Sequence, residues 1–239
     1  MTGEQAKEKI IFALDMESMA QAVEWAGLLA SHVGMFKIGK QLFTACGPDV
    51  VRAIRERGGE VFLDLKYHDI PNTVAMASLE AARLGARLFN LHALGGYEMM
   101  ATTVTALDRE FQGKGRPRVL AVTILTSSTA ETLREVGIDL PVAEMVVKLA
   151  LLAKKAGIDG VVASPLELPL IRAACGNDFL VVTPGVRPAF ASTDDQKRVM
   201  TPAEAVAAGA DYLVIGRPIS AAQDPIMAAE AIVEEIMTC

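Results

Sequence analysis

The chain has 239 residues, 51% hydrophobic but only 5% aromatic, so it suits one large domain with an aliphatic core that needs no disulfide or metal staple. Its 23 Lys and Arg against 29 Asp and Glu leave a formal charge of −6 with no basic run, which argues against nucleic acid or a membrane surface as partner but allows a small phosphorylated ligand held by local cations. Cys46, Cys175 and Cys239 have no zinc spacing, residues 1–9 are polar without the apolar stretch of a secretory signal, and no apolar run reaches the roughly 18 residues of a membrane span, so a cytoplasmic protein with reduced thiols is expected.

Residues 10–14 are a continuous apolar run closed by Asp15, as in a buried strand, and 18–31 then carries apolar residues at helical spacing. The same unit recurs. A second strand over 35–38 holds Lys37 near its end, and a helix over 41–57 is interrupted by Gly47-Pro48 and stopped by Gly58-Gly59. A third strand over 60–66 runs into a polar turn, with Thr73 placed to cap the helix 74–84. Strand four, 87–91, ends at His92, and Gly95-Gly96 opens a helix over 97–111. Strand five, 118–125, leads to Thr126-Ser127-Ser128 and a loop, 129–140, with room for one short helix. Pro141 suits the first position of a helix over 142–156. Strand six (160–163), a helix over 165–174 and strand seven (179–183) follow, then a polar stretch, 184–199, without periodicity. A short helix (202–208), strand eight (212–215) and a last helix (225–237) complete the series.

Eight strand-then-helix units in about 240 residues predict a (β/α)8 barrel occupying the whole chain. The competitor, a doubly wound sheet, usually carries a glycine fingerprint after strand one, where this chain has Asp15-Met16-Glu17-Ser18.

The third strand holds the most informative residues. Side chains alternate faces, so Phe62, Asp64 and Lys66 project to one side and Val61, Leu63 and Leu65 to the other. An acid and a base inside an apolar strand are costly to bury unless they pair or do chemistry. A structural ion pair is the plainer reading. Their place at a strand's C-terminal end, with Asp69 just beyond, favours chemistry, because barrel active sites sit at that face. The same rule gathers Asp15, Lys37, His92, Thr126, Ser127, Pro184, Arg187, Gln196, Gly216 and Arg217. Judged alone, Asp15 is also a turn residue, Lys37 a surface lysine and His92 a hydrogen-bonded structural histidine, while His32 and His68 read as surface residues. Two Gly/Arg loops, Gly185-Val186-Arg187-Pro188 and Gly216-Arg217-Pro218, follow strands seven and eight, where barrels often hold phosphate. Gln196 adds an amide donor.

The segment Asp64-Leu65-Lys66-Tyr67-His68-Asp69-Ile70-Pro71-Asn72-Thr73 resembles the signature of the orotidine 5′-phosphate decarboxylases. The resemblance extends through Ala13-Leu14-Asp15, Phe36-Lys37-Ile38-Gly39, Leu125-Thr126-Ser127, Thr183-Pro184-Gly185-Val186-Arg187, Asp194-Asp195-Gln196 and Ile215-Gly216-Arg217-Pro218, so it covers every unit of the barrel in order. It implies a homodimer that converts orotidine 5′-monophosphate to UMP and CO2 without metal or cofactor. It also implies roles. Lys66 protonates C6 of the pyrimidine within an alternating array of Lys37, Asp64, Lys66 and Asp69. Asp15 and Lys37 hold ribose hydroxyls, Thr126 and Ser127 lie near the base, and Pro184 belongs to the substrate site. Arg187, Gln196, Gly216 and Arg217 hold the phosphate. Asp69, Ile70 and Thr73 belong to the substrate site, with Asp69 and Thr73 reaching it from the partner subunit.

Two rivals remain. Sister barrels that act on sugar phosphates share the Asp-x-Lys-x-x-Asp pattern but use Mg2+, with an acid where this chain has Lys37. A non-catalytic nucleotide-binding barrel would need no alternating lysines and acids.

Overall fold

Each apolar run forms a strand in the computed structural model, which describes residues 1–112, 114–188 and 200–239. The strands are β1 (Ile10–Leu14), β2 (Met35–Gly39), β3 (Val61–Tyr67), β4 (Leu88–His92), β5 (Arg118–Val122), β6 (Gly160–Val162), β7 (Leu180–Pro184) and β8 (Tyr212–Ile215). Each pairs in parallel with its neighbours in the chain, and β8 returns to β1 opposite Ile10, Ile11 and Phe12 to close the (β/α)8 barrel.

Parallel strands covered by helices are apolar on both faces, and period two sorts their side chains into two layers. Ile11, Met35, Phe62, Leu88, Leu120 and Val182 fill the barrel interior. Ile10, Phe12, Phe36, Val61, Leu63 and Phe89 pack with the surrounding helices. Continuing the inward rows of β1 to β4 by two residues gives Ala13, Lys37, Asp64 and Asn90. The apolar plug therefore ends one layer below the C-terminal mouth, and polar side chains begin there.

Several helix ends differ from expectation. Thr73 does not cap its helix, which runs Pro71–Arg83 with Ile70 at the N-cap and Pro71 at N1. Proline's fixed φ and missing N–H suit that first position, so the helix starts earlier and Thr73 lies inside its first turn. Pro141 is itself the N-cap of Val142–Lys155, with an extended ψ of 143°. Gly47, at φ 69°, separates the helices Lys40–Cys46 and Asp49–Glu56. The loop before Pro141 contains the helix Ala130–Glu135, and β5 ends at Val122 rather than Leu125. A helix over Gly3–Glu8 was not expected, although its capping box of Thr2 and Gln5 is written in the sequence. Among the described residues no helix is long and apolar enough to cross a membrane, and the three cysteines are free.

Candidate active site

The polar layer at the mouth is built around Asp64. Its side chain is only 12% exposed and meets Lys66 Nζ at 2.5 Å and Lys37 Nζ at 3.7 Å. Lys37 also reaches Asp15 Oδ1 at 3.1 Å. Asp15, Lys37, Asp64 and Lys66 thus alternate in sign across the ends of β1, β2 and β3. A Cβ on Gly39 would lie 3.1 Å from Lys37 Nζ, so the glycine leaves room for that ammonium. Burial tends to raise the Asp64 carboxyl, but Lys37, Lys66 and the Lys66 and Asn90 hydrogen bonds outweigh it and hold the group below the usual carboxylate range.

Lys66, the penultimate residue of β3, departs from strand geometry. Its φ is 54°, in the left-handed region that bulky residues rarely adopt. The β3–β4 register shifts by two residues between Leu63 and Tyr67, a bulge-like irregularity in the ladder. The Lys66 N–H, turned out of the ladder, donates to Asn90 Oδ1 at 2.8 Å. Asn90 Nδ2 donates to Asp64 Oδ1 at 2.7 Å. Both ends of one fully buried amide are therefore engaged. Asn90 was absent from the sequence-derived site, although a polar residue in the inward row of an apolar strand, beside Asp64, was a signal for it.

Three adjoining cavities line the mouth. One, of about 310 Å³, lies between Asp15, Lys37, Lys40, Asp64, Lys66 and His92. A second, of about 250 Å³, shares Lys37, Asp64 and Lys66 with the first and has Phe62 and Val162 as apolar walls. A third, of about 470 Å³, shares Thr126, Ser127 and Pro184 with the second and extends to Gly185 and Arg217. The shared residues join them into one trough running from the carboxylate–lysine array to the Gly/Arg loops. Gly185 has φ 80°, a conformation that glycine adopts without penalty, where the β7 strand turns away. A Cβ on Gly216 would come within 3.8 Å of Asp15 Oδ2, so the β8 loop passes close to the charge array. Lys40 on the rim was also missed in the sequence. It forms no ion pair with any described residue.

Arg187 is half-buried, and its backbone N–H donates to Met200 O at 3.0 Å. Gln196 lies outside the described residues. Asp69, Ile70 and Thr73 are exposed. The Asp69 carboxylate accepts only from the following Ile70 N–H, at 2.6 Å, and joins no ion pair with a described residue of its own chain. His92 is not the hydrogen-bonded structural histidine expected: its Nδ1 is buried without a partner among the described residues. Its ring lies 5.6 Å from that of His68. Burial, then His68, Lys40 and Lys66, push its imidazole below the ordinary histidine range despite Asp64. His32, half-buried, pairs with Glu230 at 3.2 Å.

An ammonium fixed above an apolar floor, at one end of a trough whose other end carries an arginine, suits stabilisation of negative charge on a carbon atom of an anionic ligand.

Comparison with known proteins gives a consistent picture. Residues 8–232 match the family described as "Orotidine 5'-phosphate decarboxylase / HUMPS family". The chain is 75% identical to the orotidine 5′-phosphate decarboxylase of Geotalea daltonii and 74% identical to that of Geobacter sulfurreducens, over 99% of each chain. Among solved structures it is similar to orotidine 5′-phosphate decarboxylase from Lactobacillus acidophilus, with a TM-score of 0.84 and 41% identity over 95% of this chain and 98% of that one.

Proposed function

The chain belongs to the orotidine 5′-phosphate decarboxylase / HUMPS family, and on that premise we propose that it converts orotidine 5′-monophosphate to UMP and CO2, the last step of de novo UMP synthesis, without metal or cofactor. The observation that carries this reading is the Lys37–Asp64–Lys66 array opening onto a trough that ends at Arg217.

The chemistry makes the array intelligible. When the bond from C6 to its carboxylate breaks, the electron pair stays on C6 in an sp2 orbital in the ring plane, where the π system delocalises it poorly. Fixed positive charge must stabilise it instead. The Lys66 ammonium supplies that charge, then donates its proton to C6 and is left neutral. A unit-charge contact near 4 Å at an effective dielectric of 20 amounts to about 4 kcal/mol. Enzymatic accelerations need roughly 8–23 kcal/mol, so Lys66 does not act alone. Binding energy from the phosphate, gripped by Arg187, Gln196, Arg217 and the Gly216 backbone, contributes much of the remainder by holding the base in register.

Asp64 orients Lys66, and Asp15 and Lys37 hold the ribose hydroxyls. Thr126, Ser127 and Pro184 border the base. Asp69, Ile70 and Thr73 complete the site of a second subunit in a homodimer. Their outward position supports this: Ile70 is 67% exposed, and Asp69, the fourth charge of the array, pairs with no cation among the described residues of its own chain. Three free thiols suit a cytoplasmic enzyme.

The Mg2+-dependent sister reaction is less well supported. Asp15 and Asp64 already share the Lys37 ammonium, which occupies the space a divalent cation would need between them. Loss of orotidylate absorbance on adding purified protein tests the proposal. Turnover that persists in EDTA supports it, turnover abolished by EDTA would contradict the metal-free reading, and UMP binding without turnover leaves a binding protein.

A further inference from the structure

Lys66 poses a problem that the reaction alone does not answer. A lysine at φ 54° carries backbone strain of about 1–3 kcal/mol, and such residues persist only where their surroundings over-determine them. Its N–H has also left the strand ladder, and a buried N–H without an acceptor would be a further cost. One side chain answers both. Asn90 Oδ1 accepts from the Lys66 N–H at 2.8 Å, and Asn90 Nδ2 donates to Asp64 Oδ1 at 2.7 Å. Asp64 Oδ1 in turn meets Lys66 Nζ. The backbone and the ammonium of one lysine are thus tied, directly and through Asp64, to the same amide on the neighbouring strand.

We propose that Asn90 is a positioning residue for the decarboxylation assigned above: it locks the left-handed bulge at Lys66 and orients the Asp64 carboxylate, so that the ammonium is aimed before substrate arrives. The inference rests on that functional reading. Asn90 has no exposed surface and is absent from the three trough linings described, so its effect must travel through Asp64 and Lys66. A barrel interior position of this kind is usually aliphatic, as Leu88 is one layer below. An aliphatic side chain would fill the volume but supply neither hydrogen bond.

Asn90→Asp offers a test that simple damage to the fold would not mimic. A neutral aspartic acid has the donor and acceptor pattern of asparagine: its O–H donates to Asp64 and its C=O accepts from the Lys66 N–H. An ionised one sets two carboxylates against each other. The ratio of variant to wild-type kcat should therefore rise as pH falls and the introduced acid takes up its proton. Asn90→Ala should lower kcat about ten- to a hundredfold, the size expected for losing a hydrogen bond to a charged group, with a pH profile parallel to wild type. Its Kd for UMP should change much less, because Asn90 touches none of the proposed ligand groups.

Wild-type kcat in Asn90→Ala would overturn the proposal. So would a pH-independent ratio for Asn90→Asp, which serves alone if the alanine variant does not fold. Failure of the wild-type protein to turn over orotidylate would instead reject the functional reading beneath it.

Discussion

Each end of the barrel holds a carboxylate among cations. At the N-terminal end of the strands Asp159, its side chain 8% exposed, accepts from Arg116 at 2.7 Å, Arg118 at 3.0 Å and the Val119 N–H at 2.8 Å. Asp211 repeats the pattern with Arg172 at 2.6 Å and the Val181 N–H at 2.7 Å. These carboxylates bridge adjacent strands with planar guanidinium partners and unstrained backbone. At the C-terminal end Asp64 meets two lysines, a strained main chain and an open trough. Arginine forks fix geometry permanently, whereas lysine carries a compact charge and a proton that it can give up. Similar ingredients thus hold the barrel together at one end and line an open trough with charge at the other, the usual division between the two faces of this fold.

The sharpest way to break that comparison is at Lys66. Lys66→Ala should lower kcat by about 10²–10⁴-fold or more, the range for a lost general acid, while the fold survives because Asp64 keeps Lys37 and Asn90. Turnover measurements with circular dichroism check both halves, and wild-type kcat would remove Lys66 from the chemistry. The variant also tests sharing between subunits. Mixed with inactive Asp69→Ala chains, it should recover activity, because a heterodimer regains one site with both residues intact. No recovery in demonstrated heterodimers would count against Asp69 acting across the interface.

The opposite result is expected at the other end. Asp159→Ala should cost about 3 kcal/mol, since it strips the Val119 N–H of its side-chain acceptor and leaves the Arg116 guanidinium, half-buried, with only Asp108 and the Pro117 carbonyl as partners. For a chain of this size that is a fall in Tm of roughly 6–12 °C. The kcat at 25 °C should not change. If activity fell and Tm held, the division of labour between the two faces would be wrong.

The contrast also shows why part of the site could be read from sequence and part could not. Asp64 and Lys66 stand out because charges inside an apolar strand violate a local pattern, and the barrel rule then assigns their face. Asn90 breaks the apolar pattern of β4 in the same way, but an uncharged amide is a weaker signal than a pair of charges. Its importance appears only once the register places β4 beside β3 and the inward row is followed one layer up. The left-handed φ of Lys66 is illegible for a deeper reason: intrinsic preference opposes it, and tertiary contacts impose it. Thr73 misled because a local capping preference lost to Pro71 at the first helical position.

His92 permits a finer test of the upper face, because there a titrating group is held against its preference. Its folded imidazole resists protonation through burial and the nearby His68, Lys40 and Lys66, while the unfolded chain takes up that proton near pH 6.5. Unfolded molecules therefore bind more protons as pH falls through about 6.5, and stability is lost on the acid side until the folded group also protonates. One such site contributes a slope of at most about 1.4 kcal/mol per pH unit. His92→Gln should remove that share, flattening the fall in urea midpoint between pH 7.5 and 5.5. Asp64 gives the opposite assignment of pH range. Its carboxyl is depressed in the fold, so its contribution is complete above the unfolded value near 3.9 and disappears only under stronger acid. Equal slopes for wild type and His92→Gln would mean that His92 titrates alike in both states and that the lysines nearby do not reach it.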